Sequence, residues 1–136
     1  MQWLIDIIKE WCAAQGYLTQ AYVDRGFSAA VDFELADLDD DGNWHDLVLP
    51  GFIDKAARAV HLTVDFRAEA INRFVLLGGT NMAGGQNYSR QRSQVANVRS
   101  VEPAIVRIEP VTRKIQYLIS AVGVTYCNIH IRGWWL

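Results

Sequence analysis

Aspartates crowd one short segment of the chain, and their spacing is that of a metal-binding loop. Asp37, Asp39 and Asp41 take positions 1, 3 and 5 of an EF-hand calcium loop, and Gly42 takes position 6. The bidentate Glu that completes such a loop at position 12 is replaced by Val48, which has no side-chain oxygen. The pattern therefore favours a solvated acidic hairpin turn, with a calcium site as the alternative, and it indicates no other cofactor.

A second polar segment, residues 84–94, combines glycines with amide, hydroxyl and guanidinium groups. Asn87, Arg90 and Arg92 supply hydrogen-bond donors, and Tyr88 supplies an aromatic face on which a sugar ring or a base could stack. Long loops at the end of a β-sandwich often carry binding sites. We predict a loop that is solvated or in contact with another subunit, and ligand binding by these four residues is the alternative.

The remaining reactive side chains show no arrangement typical of catalysis. His45, His61 and His130 lie far apart in the sequence, without the short spacing of paired zinc ligands. The chain has neither a Gly-x-Ser-x-Gly motif nor a His-Glu-x-x-His motif, and it has no phosphate-binding loop. We therefore expect the three histidines to be surface residues and the protein to have no enzymatic activity.

Length and composition predict a single folded domain. The chain has 136 residues, of which 51% are hydrophobic, and its formal net charge of −2 gives no electrostatic reason to bind nucleic acid. Two buried free thiols are favoured over a disulfide, because Cys12 and Cys127 lie near opposite ends of the chain. The N-terminus lacks the basic region of a signal peptide, and no segment is apolar for long enough to span a bilayer. We expect synthesis in a cytoplasm, no membrane insertion and no nucleic-acid partner.

Residues 2–15 have the apolar periodicity of an amphipathic helix. Leu4, Ile7 and Trp11 follow the alternating spacing of three and four residues, and Asp6 and Glu10 lie among the polar positions between them. This seam packs either on the helix's own domain or against copies of the same helix. Two heptads are too short to hold an isolated coiled coil.

From residue 27 onward the period changes to two, which is typical of strands with one buried face. The alternating runs are residues 31–35, 60–67, 114–120 and 127–132. Three less regular strand candidates are residues 73–77, 94–99 and 104–109. The sequence thus predicts an all-β fold, a β-sandwich or jelly roll with one short N-terminal amphipathic helix. We expect the helix and a joint to occupy residues 1–25 and the β domain to occupy residues 26–136.

Two tryptophans, Trp134 and Trp135, stand directly before the C-terminal residue. Large aromatic side chains at a chain end stay ordered only when they are buried. We expect these two either to lock the last strand into the sandwich or to fill a subunit interface. In the second case they join Leu4, Ile7 and Trp11 as assembly residues.

The residues of the β region also carry a resemblance. It covers residues 44–136 and is concentrated in the segments 47–64, 73–79, 94–98, 113–117 and 128–135, the last with its Gly-Trp sequence. These segments resemble small jelly-roll modules in structural proteins of tailed bacteriophages. Such modules occur in head spikes, fibres and tail tips, often as trimers, and some contact glycans of the host surface. The resemblance brings no catalytic or binding residues with it, because it rests on strand and turn positions.

Taken with this resemblance, the sequence favours a non-enzymatic virion structural protein, a spike, fibre or decoration module. We expect it to self-associate as a trimer, to be part of the larger virion and to contact the host surface. The helix is then an anchor or an assembly element. The alternative is a carbohydrate-binding β-sandwich, with calcium as a helper, that works through the segment around Tyr88 or through the acidic turn.

Overall fold

A computed structural model describes residues 1–14, 21–26, 30–79 and 88–136, with the backbone alone at residues 12–14. Within these residues the chain forms one α-helix, one 3-10 turn and eight strands. In chain order they are α1 Gln2–Ala14, β1 Tyr22–Asp24, the 3-10 turn Leu35–Asp37, β2 His45–Val48, β3 Ala59–Ala68, β4 Phe74–Gly78, β5 Tyr88–Arg92, β6 Ser100–Arg107, β7 Lys114–Ile119 and β8 Val124–Trp135.

The strands form two antiparallel four-stranded sheets, ordered β1-β8-β3-β6 and β2-β7-β4-β5. Strand β1 pairs with β8, β2 with β7, β3 with β6, and β4 with β5. This nested pairing is what results when one long hairpin is rolled up. Two additional pairings, β3 with β8 and β4 with β7, join these strand pairs into the two four-stranded sheets. The predicted all-β sandwich is confirmed, and the strand order is that of a jelly roll.

Alternation along the strands builds the core between the two sheets. In β3 the side chains of Val60, Leu62, Val64 and Phe66 are buried, and those of His61 and Thr63 between them are only partly so. Strands β7 and β8 show the same period. Burial of each large apolar side chain stabilises the fold by about 1.5–3 kcal/mol, so the inward faces of the strands supply most of the driving force.

Two of the strands predicted from the sequence, 31–35 and 94–99, are not strands in the structure. Residues 31–35 alternate in hydrophobicity, but only Phe33 forms a bridge, to Ile129, and the chain then enters the 3-10 turn. Residues 94–99 form bends and turns, and Asn97 has a φ of 61°, which regular strands do not allow. The strand in this part of the chain is β5, inside the segment predicted as a loop, and its outer residues are polar.

One strand of the first sheet lies before residue 26, where the sequence predicts that the β domain begins. Strand β1 lies within the segment assigned to the joint, and its backbone pairs with the last residues of β8. Helix α1 ends at Ala14, and residue 15 of the predicted helix lies outside the described residues. The sheet therefore begins at β1, before the predicted start of the β domain.

Cys127 is a free thiol at the centre of the core. Burial raises the pKa of the Cys127 thiol to about 12, and the negative charge of Asp65 adds to this effect. The thiol is thus held in its protonated, unreactive form. The side chain of Cys12 lies outside the described residues.

Candidate functional site

Helix α1 exposes a broad apolar surface. Its large apolar side chains from residue 3 to residue 11 are between 40% and 66% exposed, and none belongs to the hydrophobic core. They are Trp3, Leu4, Ile5, Ile7, Ile8 and Trp11. The predicted seam of Leu4, Ile7 and Trp11 is therefore present on a helix, and the β domain does not bury it.

The two C-terminal tryptophans point to opposite sides of the first sheet. Trp134 is 8% exposed, and its ring packs 6.2 Å from that of Phe52 at the edge of the core. Trp135 faces outward, and its ring centroid lies 4.7 Å from that of Tyr22. Trp134 therefore anchors the last strand in the sandwich, and Trp135 is part of an aromatic cluster on the outer face.

This outer cluster was not predicted from the sequence. The imidazole of His61 lies 6.1 Å from the rings of both Tyr22 and Trp135, and its Nδ1 is 3.1 Å from the Tyr22 hydroxyl. Partial desolvation and the negative charge of Asp24 raise the pKa of the Tyr22 hydroxyl above its ordinary value. Three aromatic rings from three adjacent strands thus form one surface beside a carboxylate.

The residues proposed around Tyr88 lie on one side of β5. Tyr88, Arg90 and Arg92 occupy alternate, exposed positions, and the Arg90 guanidinium carbon is 5.2 Å from the ring centroid of Phe74. The ring of Trp44, which the sequence did not connect with this segment, lies 6.0 Å from that of Tyr88. The structure therefore brings three of the four predicted residues together, and Asn87 lies outside the described residues.

The acidic segment does not close a hairpin, because it leads from the 3-10 turn into β2, whose neighbour is β7. The aspartates are engaged within the segment itself. The Asp41 carboxylate lies 2.8 and 2.9 Å from His45 Nε2, and the Asp39 carboxylate is 3.5 Å from His45 Nδ1. Asp37 instead accepts a hydrogen bond from the backbone N–H of Glu34.

These contacts bear on the calcium alternative. Two of the three carboxylates at the spacing of a calcium loop face an imidazole, a nitrogen donor that calcium does not prefer. Across the described parts of the chain, no group of three or more His, Cys, Asp or Glu side chains is placed to hold a metal ion. The segment is better described as an Asp–His cluster, and calcium binding by Asp37, Asp39 and Asp41 stays a prediction without support from this geometry.

We expect the Asp41 titration to depend on His45. The hydrogen bond from His45, followed by that from the backbone N–H of Asn43, lowers the pKa of Asp41 below its ordinary value. A carboxyl with a lowered pKa stabilises the fold above its ordinary pKa, and this contribution is lost as the pH falls through the lowered value. His45→Ala should therefore move the Asp41 pKa, followed by carboxyl carbon NMR, back toward the ordinary value.

The matched control for this measurement is His130→Ala. His130 lies on β8 of the first sheet, where its Nδ1 contacts the carbonyl of Ala30, whereas the acidic segment leads into β2 of the second sheet. The Asp41 titration should be unchanged in this variant. An Asp41 pKa that is the same in the wild type and in His45→Ala would contradict the proposed contact.

Comparison of this chain with protein-family models, with curated proteins and with solved structures found no match. The resemblance to phage modules therefore stays a prediction. In the described part of the chain, no helix has the length and hydrophobicity needed to cross a membrane.

Proposed function

We propose that the protein is a non-enzymatic virion structural protein, a spike, fibre or decoration module, which assembles as a trimer through α1. The observation that carries this proposal is the exposed apolar surface of α1, because six large side chains of this kind are costly to leave in water. The two sheets of the jelly roll bury their apolar side chains against each other. In the proposed assembly, the outer faces of the sheets carry the contacts with the rest of the virion or with the host surface.

The width of the apolar surface supports a trimer. At about 100° per residue, the polar residues Gln2, Asp6, Lys9 and Glu10 occupy one side of α1, and apolar residues occupy more than half of the circumference. Trp3 and Ile8 flank the seam of Leu4, Ile7 and Trp11 on either side. A seam widened on both sides fits a helix with two neighbours. The spacing puts Leu4 at an a position and Ile7 at a d position, and leucine at a with isoleucine at d favours three or four strands over two.

Burial of the apolar side chains on assembly, and not intrinsic helix propensity, would stabilise α1. A 13-residue helix is marginal in water on its own, because nucleation is costly and few hydrogen bonds repay it. Burial contributes about 1.5–3 kcal/mol for each large apolar side chain that is fully covered. Contact with two neighbouring helices can therefore hold α1, provided that the jelly rolls keep the three helices close together.

The charges on α1 favour protein neighbours over a lipid surface. Helices that lie on membranes carry lysine and arginine on the polar side, which attracts them to anionic lipids. The polar side of α1 has Asp6 and Glu10 and only one base, Lys9, so its charge opposes such binding. The same residues keep the outer surface of a helix bundle solvated.

Hydrogen exchange along α1 tests the proposal. In an assembly, the α1 amides should be protected, and their protection should fall over a dilution series as the trimer dissociates. The amides of β3, in the centre of the first sheet, provide the internal control and should not depend on concentration. Unprotected α1 amides at every concentration would contradict assembly, and protection that never depends on concentration would mean that α1 packs on its own domain.

A further inference from the structure

An open cavity of about 370 Å³ lies on the outer face of the first sheet, at the edge formed by β1. It is a shallow depression that can contact one side of a small ligand and leaves the other side in solvent. Its lining residues come from β1, β3 and β8 and from Gly26 after β1, and none belongs to α1, so its interpretation does not depend on the assembly proposed above. The residues that line it are Tyr22, Asp24, Gly26, His61, Thr63 and Arg132.

One wall of the cavity is an aromatic ring held in a fixed position. Tyr22 is 42% exposed, although Trp135 packs against its ring and His61 Nδ1 contacts its hydroxyl. A side chain that is held by two neighbours and still exposes much of its ring offers an apolar platform at little cost in conformational entropy. This platform is open to a ligand.

The backbone beneath the platform is shaped for close approach. Gly133 lies under Tyr22, and a Cβ at this position would collide with the tyrosine hydroxyl and with the carbonyl oxygen of Val23. Only glycine therefore allows the ring to lie flat across β8. The three consecutive residues thus have three roles. Gly133 leaves space for the Tyr22 ring, Trp134 is buried in the core, and Trp135 packs against Tyr22.

The polar residues of the cavity surround the platform with both kinds of hydrogen-bonding group. The Asp24 side chain is exposed and carries an acceptor carboxylate, which also receives the backbone N–H of Gly26 at 2.8 Å. The Arg132 guanidinium is oriented by a hydrogen bond of 3.0 Å from its Nε to the hydroxyl of Thr63. The carboxylate and the guanidinium balance each other in charge, which favours a neutral ligand.

We propose that this cavity binds a neutral pyranose, with one C–H face of the sugar on the Tyr22 ring and its hydroxyls on Asp24 and Arg132. A pyranose has an apolar face and a rim of hydroxyls that both donate and accept, and the cavity offers the complement of each. Planar carboxylate and guanidinium groups contact two adjacent hydroxyls at once, which adds geometric specificity. A phosphorylated ligand is disfavoured, because its charge would meet the Asp24 carboxylate.

Saturation-transfer NMR on the full chain tests this site. The probes are the methyl glycosides of glucose, galactose, mannose and N-acetylglucosamine, each at millimolar concentration. We expect at least one of them to receive saturation, most strongly at the C–H protons of one face of the ring. Absence of transfer to all four glycosides would overturn the proposal.

Variants locate the binding. Asp24→Asn should weaken the bound glycoside about tenfold or more, since a hydrogen bond to a charged acceptor is lost. The matched control is Asp46→Asn, at an exposed aspartate on β2 in the other sheet, which should leave binding unchanged. Equal effects of the two substitutions would overturn the Tyr22 site, and so would loss of binding in Tyr88→Ala, which would place the sugar on β5.

Discussion

Replacing Asp32 by alanine is expected to destabilise the folded protein by about 3–5 kcal/mol, as for other broken buried ion pairs. The Asp32 side chain is 7% exposed, and its Oδ2 accepts hydrogen bonds from Arg25 Nη1 at 2.6 Å and from the backbone N–H of Ile131 at 2.7 Å. Without the carboxylate, the backbone N–H of Ile131 loses its acceptor, and the Arg25 guanidinium is left with the carbonyl of Ile131 at 3.2 Å and the ring of Phe52. Urea unfolding at one fixed protein concentration measures the loss.

Asp46→Ala is the matched control for Asp32→Ala. Asp46 pairs with Lys114 at 3.3 Å, but both side chains are well exposed, and such pairs contribute about 1 kcal/mol or less. The two variants remove the same group from an ion pair in different surroundings. Similar losses of stability would show that the pair between Arg25 and Asp32 does not hold the N-terminal segment on β8.

Gly133→Ala is expected to cost about 1–3 kcal/mol, the usual range for overpacking. The added methyl group would collide with Tyr22 and with the backbone of Val23, so β1 must move away from β8. Strand β1 has three residues, and among the described residues it pairs with β8 and with no second strand that could hold it in place. The unfolding free energy measures the cost, and near-ultraviolet circular dichroism follows the packing of Tyr22 on Trp135.

The control for this substitution is Gly51→Ala. A Cβ on Gly51 meets no atom within 4 Å, and its backbone is not in the left-handed region. We expect the stability of this variant to stay within about 0.5 kcal/mol of the wild type. If Gly133→Ala were equally harmless, the close approach of β1 to β8 would be wrong, and the proposed sugar site would lose its support.

The regular strands could be predicted from the sequence because each has one buried face. In β3 and β8 every second residue is apolar over a long run. Strand β3 has nearly the predicted bounds, and β8 extends three residues beyond the predicted run at each end. The same pattern failed at 31–35, where alternation is satisfied by a single bridge at Phe33 and the backbone then turns. Alternating hydrophobicity indicates which side chains are buried, but it does not indicate whether a neighbouring strand is available for backbone hydrogen bonds.

The sequence analysis missed strand β5 because its residues lack alternating hydrophobicity. Its outward residues Tyr88, Arg90 and Arg92 are polar or amphipathic, and the inward Gln91 is buried through hydrogen bonds to Ser100. No hydrophobic periodicity marks such a strand. Its pairing with β4 becomes visible only in the sheet.

The aromatic cluster could not be predicted, because its residues come from distant parts of the chain. Tyr22 and His61 are 39 residues apart, and Trp135 joins them only through the pairing of β1 with β8 and of β8 with β3. By contrast, the apolar seam of α1 is a local pattern and was predicted.

The solution mass of the full chain, measured by light scattering on a sizing column, tests the central claim most directly. We expect three times the chain mass of 15.4 kDa for the wild type and for Gln2→Asp, which changes the polar side of α1. Ile7→Asp puts the same charge into the apolar seam and should give the mass of one chain. A wild-type mass of one chain, or a trimer that Ile7→Asp leaves intact, would contradict assembly through α1.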